Sequence, residues 1–354
     1  MRVVIFFVLI ALVSLVILHD EASINKKQNS INLIMKKYSL IILAIVLMSC
    51  NSNEKQQKKN DTAEINVVTV AYKIDSKLGE GAIWNYKTSE LYWIDIEGKS
   101  LNIFNPKTNQ NRSFSTASQI GTVVPKDKDE ALIALTDGIY TMNLQTGKTI
   151  LFSDMREVLT NSRLNDGKCD PSGRLWVGSM NWQQETGKAK LFTIKNDSSV
   201  TTKINSVTIS NGIVWTKDKT TMYYIDTPTS QIKAYDYNNA SGDISNERVV
   251  VEIPEELGFP DGMTIDAEDM VWVGMWNGNA VIRFNPKTGK LLQKIEVPAH
   301  NVTSCAFGGE NLETLYITSA KLDMTEEELE KYPLAGSVFK INPGVKGVKS
   351  NFFK

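Results

Sequence analysis

The sequence predicts an all-β fold, a six-bladed β-propeller with four-stranded blades around a central channel. Three observations predict it. Six short runs of buried-strand character, at residues 91–94, 131–135, 175–177, 222–225, 271–273 and 315–317, recur about 40 to 50 residues apart, the repeat length of such a blade. A small polar residue followed by glycine comes about ten residues ahead of four of these runs, as Glu80-Gly81, Asn165-Asp166-Gly167, Asn211-Gly212 and Asp261-Gly262. Between strands lie turn signals, of which Asn105-Pro106-Lys107-Thr108-Asn109 and Asn285-Pro286-Lys287-Thr288-Gly289 are near copies.

From the N-terminus, the first 64 residues read as address rather than fold. Residues 35–50 run from a basic start, Met35-Lys36-Lys37, through an apolar core at 39–47 to Leu47-Met48-Ser49-Cys50, the pattern of a secretory signal. The last four residues resemble a bacterial lipobox, which implies cleavage and lipid attachment at Cys50. The apolar run is shorter than the roughly 20 residues of a spanning helix, although an uncleaved anchor stays an alternative. A signal of this type begins its own chain, so residues 1–34 read as an over-extended start, or alternatively as an extra membrane segment built on the apolar stretch 3–18. Residues 51–64 begin with an uninterrupted polar run and read as a flexible tether. The expected product is an exported bacterial lipoprotein tethered to the cell envelope, touching membrane through its N-terminal lipid only.

The propeller is expected over residues 65–354. Each run named above is followed by a second strand, as in Ser100-Leu101-Asn102-Ile103-Phe104, Gln231-Ile232-Lys233-Ala234-Tyr235 and Ala280-Val281-Ile282-Arg283-Phe284. The one helical candidate, residues 324–332, is stopped by Pro333, and its glutamates read as a solvated first turn. Trp93, Trp176 and Trp272 fall at core strand positions, while Trp182 and Trp276 follow strands and are candidates to line a pocket. Asp95 and Asp226 end strands, where carboxylates collect turn N–H groups.

Composition excludes several function classes. A formal net charge of -1 gives no nucleic-acid footprint. Two histidines, His19 and His300, are too few for a histidine-rich zinc site, and there is no HExxH arrangement. Three cysteines, Cys50, Cys169 and Cys305, make no disulfide framework, and the last two read as small buried apolar residues.

If the blades surround an axis, the oxygen-bearing side chains of the polar–glycine steps converge at one mouth of the channel, where they suit a hard divalent cation. Blade two breaks the pattern with Ile120-Gly121-Thr122, and the last blade has Thr303-Ser304-Cys305. Three or four blades are therefore expected to supply ligands.

At these residues the chain resembles the gluconolactonase and regucalcin (senescence marker protein) family of lactone hydrolases. The similar segments are Leu78-Gly79-Glu80-Gly81-Ala82-Ile83-Trp84, Ser162-Arg163-Leu164-Asn165-Asp166-Gly167-Lys168-Cys169-Asp170, Ser210-Asn211-Gly212-Ile213-Val214-Trp215, Pro260-Asp261-Gly262-Met263-Thr264-Ile265-Asp266 and Thr303-Ser304-Cys305-Ala306-Phe307-Gly308-Gly309, with Pro333-Leu334-Ala335-Gly336 beyond them. The resemblance implies one divalent cation (calcium, zinc, magnesium or manganese) held by Glu80, Asn211 and Asp261, with Arg163 and Asn165 meeting a sugar-like substrate. It implies a metal-dependent hydrolase that opens a sugar lactone by Lewis-acid activation of the carbonyl and attack of water, with Asp261 as the catalytic proton carrier. Asp166 reads equally as a further carboxylate at the mouth or as a brace for its own turn. Two other readings stay open: an aryl-ester or organophosphate hydrolase on the same site, and a non-catalytic surface lipoprotein that binds metal or a sugar acid. The expected partner is a small-molecule lactone or related cyclic ester, not nucleic acid, and the simplest assembly is a monomer.

Overall fold

The computed structural model describes residues 67–354; Cys50 and the segments expected to be an over-extended start, a signal and a tether lie outside the described residues. Strand follows strand, and they pair into six four-stranded antiparallel sheets, the six blades of a propeller. Blade one is β2 (Gly79–Asn85), β3 (Glu90–Asp95), β4 (Ser100–Asn105) and β5 (Gln110–Ser115). Blade two is β6 (Ile120–Pro125), β7 (Glu130–Leu135), β8 (Gly138–Asn143) and β9 (Thr149–Asp154). Blade three comprises β10 (Ser162–Cys169), β11 (Leu175–Asn181), β12 (Ala189–Ile194) and β13 (Val200–Val207), and blade four β14 (Ser210–Trp215), β15 (Thr221–Asp226), β16 (Gln231–Asn238) and β17 (Asp243–Glu252). Blade five holds β18 (Phe259–Ile265), β19 (Val271–Trp276), β20 (Ala280–Asn285) and β21 (Lys290–Glu296).

The sixth blade closes the ring. Its strands β22 (Asn301–Gly308), β23 (Thr314–Ala320) and β24 (Val338–Ile341) are joined at the outer edge by β1 (Thr69–Tyr72) from the other end of the domain. Thr69 pairs with Lys340 and Val70 with Phe339, so the first and last strands are hydrogen-bonded to each other and the ring has no open seam between chain ends.

Burial grades from the axis outward. Every residue of β2, β6, β14 and β22 is buried, whereas the outer strand β5 is mostly exposed. The runs that mark the repeat in the sequence are the second strands, and they carry the core: Trp93, Trp176 and Trp272 show no exposure. The indoles of Trp176 and Trp272 are tied to the turn at the far end of the first strand, whereas Trp93 Nε1 is buried without a partner. Trp176 Nε1 donates to Asp170 at 2.9 Å and Trp272 Nε1 to Asp266 at 3.0 Å, and each aspartate also takes an arginine Nε, from Arg174 at 2.6 Å and Arg283 at 2.8 Å. These buried carboxylates are thus fully paired. Asp95 and Asp226 have the expected structural role: Asp95 accepts from the backbone N–H of Lys77, Leu78 and Gly98, and Asp226 from those of Thr208 and Ile209. The helix, α1 (Glu326–Lys331), is shorter than the sequence suggests because the Thr325–Glu328 capping box fixes its start.

The channel has two dissimilar ends. Residues from the beginnings of the first strands line a cavity of about 360 Å³ that includes Glu80, Arg163, Asn211 and Asp261. The ends of the same strands line a smaller one, of about 80 Å³, which is covered by the C-terminal segment 348–351. Ser350 Oγ donates to the Trp84 carbonyl at 2.5 Å, Asn351 Nδ2 to that of Cys169 at 3.1 Å and Phe353 N to that of Pro125 at 3.0 Å. The chain end is thereby strapped across three blades.

Candidate active site at the channel mouth

The polar–glycine steps lie inside the innermost strands rather than in the loops that lead to them. Each innermost strand slips its register against the second strand at the step: between Glu80 and Ile83, Ile120 and Thr122, Leu164 and Gly167, Asn211 and Ile213, Pro260 and Met263, and Val302 and Cys305. A bulge bends the strand and re-aims its side chains, and six of them around one axis form a ring. The glycine has two physical reasons. Gly81 has φ +62°, in the left-handed region, whereas at Gly212 a Cβ would stand 2.5 Å from Cβ of Met263 on the next blade. A left-handed backbone turn thus accounts for Gly81, and close approach of neighbouring blades for Gly212.

Four bulges present oxygen-bearing side chains at the mouth. Glu80, Asp166 and Asp261 are buried, as are Asn165, Asn211 and Arg163. Glu80 Oε2 accepts the Gly81 N–H at 2.9 Å. Asp261 is in hydrogen-bonding contact with Glu80. Burial first, and then the negative charge of Asp166, push Glu80 up to about 7. Burial and the charge of Glu80 raise Asp261 well above the usual carboxylate range. Asp166 is itself raised by burial. Its two oxygens differ: Oδ1 accepts the Gly167 N–H at 2.8 Å, which is the bracing role, and Oδ2 is buried without a partner.

The amides and the arginine form a chain of fixed polarity. Arg163 Nη1 donates to Asn165 Oδ1 at 2.7 Å, and Asn165 Nδ2 donates to the Ser210 carbonyl at 2.8 Å and to Asn211 Oδ1 at 3.1 Å. Asn211 Nδ2 donates to Thr227 Oγ1 at 2.7 Å, while that hydroxyl gives its own proton to the Pro260 carbonyl at 2.8 Å. Thr227 can therefore only accept from Asn211, which turns the Asn211 oxygen into the site. Arg163 is lowered to about 10 by burial, against the pull of Glu97, Glu80 and Asp261, so it is a cation at neutral pH.

The structure brings all five of Glu80, Arg163, Asn165, Asn211 and Asp261 into one pocket. Trp276 also lines it, as does Gln184 from the segment after β11, while Trp182 does not. His300 does not line it either: its Nε2 lies 3.2 Å from Glu328 and its ring stacks on Tyr332. Cys169 and Cys305 are buried, and burial raises both thiols, Cys305 to about 12, so neither is a ready thiolate. Sequence reasoning missed Thr227, which has no repeat partner and is marked only by following Asp226 and preceding Pro228. It also missed Glu97, whose charge acts on Arg163 and whose Oε1 accepts from Gln119 at 2.7 Å.

Among the described residues, no three His, Cys, Asp or Glu side chains are grouped as metal ligands, so a cation held here rests on two carboxylates and an amide. The donor chemistry fits a hard cation. Two buried carboxyls, Glu80 and Asp261, share the pocket with one buried arginine, the charge of the buried Asp166 acts on both, and one Asp166 oxygen has no partner.

Fold and site together define a class: six-bladed β-propellers with a buried oxygen-donor cluster at one mouth of the channel. The chain belongs to the SMP-30/Gluconolactonase/LRE-like family, whose model matches residues 78–321. It is 40% identical over 262 residues to the Bacillus subtilis protein named "Putative sugar lactone lactonase YvrE", covering 74% of this chain and 90% of that one. It is 37% identical to regucalcin of Danio rerio over 284 residues, 79% of this chain and 96% of that protein. Among solved structures, a calcium-binding protein, regucalcin, from Agrobacterium tumefaciens superposes with a TM-score of 0.78 at 25% identity, over 82% of this chain and 98% of that one.

Proposed function

We propose that this protein is a hydrolase that opens a sugar lactone or similar cyclic ester at the channel mouth, with one divalent cation held by Glu80, Asn211 and Asp261. The observation that carries the reading is the meeting of that oxygen set with Arg163 and Asn165 in one pocket. The name of the Bacillus subtilis relative, a sugar lactone lactonase, supports the substrate class, and the calcium-binding description of the Agrobacterium structure supports a cation. Calcium, magnesium, manganese and zinc all suit such a set.

When bound, the cation would supply Lewis-acid polarisation of the ester carbonyl. Arg163 offers its planar fork to ring or hydroxyl oxygens, and Asn165, held between Arg163 and Asn211, orients them. Asp261 takes a proton from the attacking water as its oxygen bonds to the carbonyl carbon. The bond from that carbon to the ring oxygen then breaks, Asp261 returns the proton to the departing oxygen, and a hydroxy acid leaves. Burial raises the basicity of Asp261 above that of an ordinary carboxylate, which favours the proton-accepting role.

The test is lactone hydrolysis by the full chain, followed as proton release across a panel of sugar lactones after chelation and re-addition of single cations. Cation-restored turnover, reduced at least about 10³-fold by Asp261→Ala, is the expected result. Cation binding with no turnover of lactones, aryl esters or phosphotriesters would instead identify a binding protein. We also propose export and lipid attachment at Cys50, which tethers the domain to the cell envelope. Cys50→Ser is expected to move the protein from the membrane to the soluble fraction and abolish labelling by fatty acid, and unchanged membrane retention would refute the anchor.

A further inference from the structure

The pocket is walled unequally. Toward β10 and β14 it is polar, with Arg163, Asn165 and Asn211. Toward blades five, six and one the buried carboxyls Glu80 and Asp261 are flanked by an apolar patch of Phe259, Trp276, Leu322, Leu78 and Ile96, with the exposed Asn277 and Asp323 as the further polar lining groups on that side. The apolar wall is a built surface. Phe259 and Trp276 are direct cross-strand partners at the mouth ends of β18 and β19, and Trp276 and Leu322 pack against the core cluster that contains Leu78 and Ile96. Phe259 nonetheless stays 42% exposed. Apolar surface covered by an apolar ligand group is removed from water, which favours binding. A hydroxyl seated on Phe259, Trp276 and Leu322 finds no partner among those three side chains, whereas an apolar substituent is favoured there.

We propose that the substrate is a lactone whose ring carries an apolar substituent, an alkyl chain or aryl group, seated on Phe259, Trp276 and Leu322 while the ester carbonyl lies toward Glu80, Asn211 and Asp261. The inference rests on the lactone-hydrolase reading and narrows it. The polar wall fixes the ring end through Arg163 and Asn165, and the apolar wall selects what the ring bears.

The experiment compares kcat/KM of the full chain, with saturating divalent cation, for δ-valerolactone, its pentyl-substituted form and a hydroxylated δ-lactone. The pentyl chain is expected to raise kcat/KM about tenfold or more over the unsubstituted ring. Phe259→Ala and Trp276→Ala should each cut that preference at least about threefold; Phe259 is exposed, so its variant folds even if the Trp276 variant does not. A second readout is binding of pentyl-substituted and plain δ-valerolactam, followed by tryptophan fluorescence, with the pentyl form binding more tightly and losing that advantage in Phe259→Ala. Turnover of plain or hydroxylated lactones with no gain from the pentyl chain overturns the inference alone. No turnover of any lactone overturns the reading beneath it, and the inference with it.

Discussion

Glu80, Asp166 and Asp261 are carboxyl groups from which water has been removed by the close approach of four blades, and their protonation reports what else is present. Glu80 is raised to about 7 by burial and by Asp166. Its folded value thus lies above its unfolded value of about 4.5, so its contribution to stability is whole below about 4.5 and is lost as pH rises through about 7. In the presence of chelator the protein is therefore expected to melt at a lower temperature at pH about 8 than at pH about 5.5. A saturating divalent cation reverses the order, because cation binding requires the ionised carboxylates and releases their protons. Thermal melts at the two pH values, with and without cation, measure both halves, and equal shifts at both would remove the carboxylate pair as the cation's holder. The residues behind this behaviour were unequally legible. Glu80, Asn211 and Asp261 stood out because each sits in a step that repeats. Thr227 did not, because its role is to fix the direction of the Asn211 amide, and a hydrogen bond between residues 16 apart leaves no pattern in the chain.

At the scale of the strand, the bulge is the unit that builds the site. Its glycines admit no side chain where blades touch, and at Gly212 a would-be Cβ stands 2.5 Å from Met263 Cβ and 2.9 Å from the Asp261 carbonyl oxygen. Gly212→Ala is expected to cost about 1–3 kcal/mol in denaturant unfolding and to weaken cation binding, since the displaced strand is β18 itself. An unchanged midpoint would mean the blades can part there without strain. The second strands, with their Trp and β-branched residues, were readable from composition and spacing alone. The bulges were readable only as a polar residue followed by glycine, because a register shift is a relation between two strands.

For the whole molecule, closure has two parts. β1 completes the sixth blade from the N-terminal side, and the C-terminal strap covers the far end of the channel with Phe352 and Phe353 buried. Burying two phenylalanines contributes about 3–6 kcal/mol. Deleting residues 348–354 is therefore expected to lower the melting temperature by about 5 °C or more, and a melting temperature within about 1 °C of the full chain would show that the strap only decorates the fold. The strap was not expected from sequence, since a short segment without repeat looks like any chain end.

The sequence by itself determined the six blades, their order and the ring of polar–glycine steps, because strand periodicity, turn chemistry and a repeat of constant length are local properties that each blade states again. Tertiary structure alone decided that Asp166 has one oxygen bracing its own strand and one without a partner, that Thr227 aims Asn211, that His300 turns to Glu328 instead of the pocket, and that Phe259, Trp276 and Leu322 meet in one apolar patch of its lining. Those are consequences of distances between blades, which depend on how every core side chain fills the space between them.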